Sequence, residues 1–135
     1  MRIAIRELHP PSGALLNDEW FVVENVGDKA FSPGGCTVSV GKGAKATRLR
    51  AVGTLDPGFT LAPGERVRVV TGNPAKKAHG PAPTGDVKTY HLFLSAPLIA
   101  GAGSTVAMSL KQHELARATF DPKADHGVAP ATDGA

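Results

Sequence analysis

A chain of 135 residues with a net charge of +3 is long enough to bury its own core and too weakly basic to announce a nucleic-acid binder by charge alone. Its 16 glycines and 11 prolines favour short strands and turns over helices. The single Cys36 excludes an internal disulfide, and no run reaches membrane-spanning length. The opening MRIAIRELHPP lacks the apolar core of a signal peptide, so a soluble, cytoplasmic protein without membrane insertion is expected.

Residues 2–8, RIAIREL, alternate as a strand with Ile3, Ile5 and Leu8 inward. HPPSG ends it, because proline cannot donate to a strand ladder. A second strand over 19–25 holds four consecutive apolar residues, Trp20 to Val23. A strand with one wet face should alternate apolar and polar residues, and this one is apolar on both. If Phe21 and Val23 point inward, Trp20 and Val22 need cover from outside the core. That cover comes from the segment with Pro10 and Pro11, from the loop at 72–88, or from a partner.

CTVSV is a period-two strand with Cys36, Val38 and Val40 on one side. A short strand is expected over 46–52. FTLAPGERVRVVTG reads as a strand end, a Pro-Gly turn and a strand with Val67 and Val69 inward and Arg66 and Arg68 outward. NPAKKAHGPAPTGDVK is a long irregular loop, the kind that is usually functional or disordered. TYHLFL, STVAMSL and LARATF complete the set. No stretch sustains helical periodicity. Seven to nine short strands in one domain predict an antiparallel β-sandwich, for which the immunoglobulin-like topology is commonest. The domain is expected over 1–120, and the polar, small residues 121–135 as a flexible tail.

Three stretches, in order, resemble the lamin tail domain family: EWFVVENVGDKAFSPGGCTVSV, FTLAPGERVRVVTG and PLIAGAGSTVAMSL. They run from Glu19 to Leu110, and the resemblance is taken to cover roughly residues 2–120. The resemblance implies an immunoglobulin-like sandwich, here a bacterial-type single-domain member, that binds or scaffolds without chemistry of its own. The family usually carries tryptophan where this chain has Cys36, so another group, Trp20 or Phe31, is expected to fill that part of the core.

Direct inspection also favours a non-enzyme. The five histidines, His9, His79, His91, His113 and His126, show no compact ligand spacing, so neither metal nor cofactor is expected. Cys36 sits on the inward side of its strand, where packing is its role. No serine lies in a nucleophile elbow. No catalytic residue is assigned.

Two binding surfaces remain. The first is a protein-contact surface, to an unidentified partner or a second copy, made by Trp20 and Val22 and by Lys76, Lys77 and His79 of the long loop. The second follows from charge. Between Lys42 and Lys77 eight basic residues meet two acidic ones, giving +6 and leaving −3 for the rest. If the strands carrying Arg48 and Arg50 and those carrying Arg66 and Arg68 are neighbours, they and Lys45 form one patch for nucleic acid or another anionic surface. Without interleaved aromatics such a patch would read phosphates and not bases.

Overall fold

The protein is described from a computed structural model covering residues 2–11, 13, 15–42, 49–56, 59–73, 75–81, 83–85, 87–94, 96–99 and 101–129. Among these the chain is all-β, with eight strands: β1 (Ile3–His9), β2 (Trp20–Asn25), β3 (Thr37–Lys42), β4 (Arg50–Thr54), β5 (Arg66–Val70), β6 (Lys88–His91), β7 (Ser104–Leu110) and β8 (His113–Thr119). They form two four-stranded sheets, ordered β1-β2-β5-β6 and β4-β3-β7-β8. No helix among the described residues is long and apolar enough to cross a membrane.

The alternation of each strand decides its inward face. Phe21 and Val23 of β2, Val67 and Val69 of β5, Val38 and Val40 of β3, and Val106 and Met108 of β7 share one core. In β1 the inward residues are Ile3, Ile5 and Leu8, a change of parity that a regular strand forbids. A register shift between Ile5 and Glu7 supplies the extra residue and restores Leu8 to the core. Cys36 is fully buried in that core and burial pushes its thiol pKa up, which makes it a packing group. Phe31, 2% exposed, is the aromatic of the two named above that enters the core; Trp20 does not.

One pairing breaks the antiparallel pattern. β6 runs parallel to β5, with Val69 opposite Tyr90 and Val70 opposite His91. A parallel neighbour cannot be reached by a hairpin and requires a crossover of about a dozen residues or more. Residues 71–87 are that crossover. The length that reads as an irregular loop in the sequence is therefore a demand of the topology. The chain passes between layers by a second route, through the isolated bridge Phe31–Leu61 and the turn that brings Gly64 (φ +84) beneath Asn25. Asn25 is buried and locks this corner, its side-chain Nδ2 donating to the carbonyls of Lys29 and Leu61.

Residues 121–129, read from composition as the start of a tail, return to the sandwich. Phe120 bridges Val128, and the 3-10 turn at Asp125–Gly127 contacts β1. Residues 130–135 lie outside the described set.

Phe21 is wholly buried between the layers. Phe21→Ala is expected to cost about 3–5 kcal/mol, read as a lower urea midpoint with an unchanged slope.

Candidate functional site

The outer face of the first sheet carries an aligned row. His9 pairs with Trp20, Trp20 with Val70, and Val70 with His91, so all four side chains project from one face at the same level. The apolar excess of β2 ends here. The His9 ring stacks on Trp20 at 3.9 Å, nearly parallel. The Arg68 guanidinium lies over the indole 4.9 Å from its centroid, a cation–π contact. Trp20 Nε1 donates to Glu7 Oε1 at 3.3 Å. Trp20 is thus half-buried by its own chain.

Val22 is 3% exposed and Val70 is fully buried, although both face away from the core. The 3-10 turn Leu16–Asp18 packs against β5, and the turn Lys77–His79 packs against it in turn. Two hydrogen bonds pin the crossover over the sheet, Arg68 Nη1 to the Thr84 carbonyl (3.4 Å) and Asn17 Nδ2 to the Gly80 carbonyl (2.6 Å), and a third, Asn73 N–H to His79 Nδ1 (3.0 Å), closes the crossover on itself. Gly72 passes so close to Asn17 that a Cβ there would sit 2.3 Å from Asn17 Oδ1. Of the residues anticipated for protein contact, Lys76 and Lys77 are exposed and His79 and Trp20 are partly so, whereas Val22 has no surface to offer.

Of the anticipated arginine patch, the described residues fall on different sheets. Arg50 lies on β4 of one sheet, while Arg66 and Arg68 lie on β5 of the other, because residues 55–65 carry the chain across the sandwich. Lys45 and Arg48 lie outside the described residues. Arg66 is taken by Glu24 at 2.7 Å, a carboxylate that also faces Arg6 at 3.7 Å, and Arg68 is spent on Trp20 and Thr84. The three described arginines do not combine into one phosphate-facing surface.

Two features of this end escaped the sequence reading. Phe93, beside His91, is 64% exposed and stacks loosely on that ring at 6.2 Å. Strand alternation contained the signal: Tyr90, Leu92 and Leu94 pack against the core, which sends His91 and Phe93 outward. The other is Glu19, wholly buried at the start of β2. Its Oε1 accepts the backbone N–H of Leu98 at 2.7 Å and its Oε2 that of Ile99 at 2.8 Å, while the Thr71 hydroxyl donates to Oε1 at 2.8 Å. No local pattern could reveal this, since the donors are about eighty residues away in sequence. Desolvation raises the carboxyl pKa, against the downward pull of those three bonds. Enclosed in this way, it ties the segment between β6 and β7 to the first sheet.

Among the described residues no three His, Cys, Asp or Glu side chains converge to hold a metal ion. No known protein family matches the chain, and no curated protein does.

Because its folded-state pKa is raised, Glu19 holds its proton more tightly in the folded chain than in the unfolded one. The stability linked to that proton is present below the ordinary value of 4.5 and is lost as pH rises through the raised value. Glu19→Gln sets an amide NH2 against one of the two backbone N–H groups, which is expected to cost about 1–3 kcal/mol. In urea unfolding at a series of pH values, the gap between wild type and Glu19→Gln should narrow as pH increases. A gap that widens would assign the opposite shift.

Proposed function

We propose that this sandwich is a lamin-tail-type module that binds a protein partner and carries out no catalysis, with its contact surface at the Phe93 end of the first sheet. The observation that carries the reading is Phe93. A large aromatic left mostly in water forgoes about 1.5–3 kcal/mol of burial, and exposed aromatics are concentrated where partners dock. Leu15, 38% exposed, lies at the same end, where its side chain approaches Gly80 of the crossover. Exposed Lys76 and Lys77 follow along that crossover and give the surface a polar, cationic rim.

The lamin-tail part of the reading is supported by where the three quoted stretches fall. The first forms β2, the Phe31 bridge and β3; the second supplies Leu61, the Ala62–Glu65 turn and β5; the third leads into β7. The first two meet directly at the bridge between Phe31 and Leu61.

The test separates contact from stability. Phe93→Ser should leave the unfolding midpoint unchanged and weaken retention of the partner, captured from the protein's own cell extract, at least tenfold. Light scattering beforehand tells a second copy from a foreign protein. Trp20→Ala should instead lower the unfolding midpoint, since its neighbours His9 and Arg68 lose their stacking surface. Capture unaffected by Phe93→Ser would remove the surface from consideration. Retention on DNA that falls steeply with salt would favour the anionic-ligand alternative.

A further inference from the structure

A cavity of about 290 Å³ opens at the other edge of the same sheet, between the end of β1 and the returning segment 120–127. We propose that it binds a small organic cation, an ammonium or guanidinium head on an apolar stem. Its volume lies at the lower end of ligand sites and is several times that of a water molecule. The walls are apolar: buried Leu8 and Phe120, with Pro10 and Pro122.

The polar groups at the cavity favour a donor of hydrogen bonds carrying positive charge. Glu7 lines it. Among the described residues no cation pairs with that carboxylate, whose one side-chain hydrogen bond comes from the neutral Trp20 N–H. An ionised carboxylate accepts several hydrogen bonds, so capacity remains. His9 is next. Its Nδ1 lies 2.8 Å from the Asp18 carbonyl, which only accepts, so Nδ1 is the donor of that bond. Trp20 occupies one face of that imidazole, and His9 is among the residues that line the cavity.

The shape of this open cleft is built into the backbone. The loop 121–127 is closed by Asp121 N–H to the Gly127 carbonyl and Gly127 N–H to the Ala124 carbonyl. Gly127 (φ +77) lies so tight on β1 that a Cβ would fall 2.1 Å from the Leu8 carbonyl oxygen. His126, at φ +59, holds a left-handed conformation that costs a non-glycine residue energy, as wall residues of binding sites often do. These contacts set Phe120 and His126 opposite Glu7 and His9 before any ligand arrives. A site prepared in this way loses little on binding to ordering its own walls.

The proposal is independent of the protein-contact surface, since Phe93 does not line this cavity. The full chain, labelled for amide NMR, is titrated with n-butylguanidinium and, separately, with neutral n-butylurea of nearly the same shape. The cation should bind at least tenfold more tightly and shift the amides of Leu8, His9, Phe120 and Gly127. Glu7→Gln keeps an acceptor for Trp20 but removes the charge; it should abolish the preference for the cation while leaving the unfolding midpoint unchanged. Equal affinity for the two probes, or shifts centred elsewhere, would overturn the proposal whatever the variant does. A cation preference that survives Glu7→Gln in a folded protein would overturn the role of Glu7 and with it the site.

Discussion

The parallel pairing of β5 with β6 is the constraint from which the outer face of this sandwich descends. Every other strand pair is antiparallel, but β6 starts at the same end as β5, so the chain must travel back along the sheet before it can pair. The returning segment crosses the outer face. There, together with the turn at Leu16–Asp18, it takes Val70 out of solvent and holds Arg68 where it covers Trp20. The outer face of this sheet is consequently half a second core. That is why β2 is apolar on both sides.

The same topology makes a second long connection necessary, from the end of β6 across to β7 in the other layer. A connection of irregular backbone passing between layers exposes N–H groups to a dry environment, where each unpaired one is costly. Glu19 answers two at once, Leu98 and Ile99, with one carboxyl group, and Thr71 completes its shell. The solution has its own cost, because a carboxylate without a counter-ion is expensive to desolvate. The raised pKa expresses that balance: desolvation outweighs three favourable hydrogen bonds without cancelling them.

Local rules made the strands legible and left their arrangement obscure. Alternation placed Val38, Val40, Val67 and Val69 inward, and the Ile3-Ile5-Leu8 set implied a break in parity that the β1 bulge explains. The double-sided apolar strand announced that Trp20 needed cover. It could not say that His9, its cross-strand partner, would provide it, since register is a property of two strands and not of one. The described arginines came apart for the same kind of reason: grouping Arg50 with Arg66 and Arg68 assumed that strands close in sequence are neighbours in space, and β4 and β5 lie in different sheets. Phe93 was readable from period-two alternation once the strand is followed past His91. Glu19 was not, because nothing near DEWF in sequence encodes donors at Leu98 and Ile99.

The two aromatic side chains on the outer face receive opposite treatment, and the contrast bears on function. Trp20 sits mid-row, with a strand on either side, so cross-strand neighbours can close over it at little extra ordering cost. Phe93 follows β6, the edge strand, and has a neighbouring strand on one side alone. Nothing in the strand order would prevent a polar residue there, and a sheet edge ordinarily benefits from one because exposed apolar edges invite association. For a fold whose total stability is expected to be about 5–15 kcal/mol, an uncovered aromatic on an edge is a considerable free energy left unused. Association that covers Phe93 recovers it. Under the proposed function, an incoming surface at that edge supplies the cover.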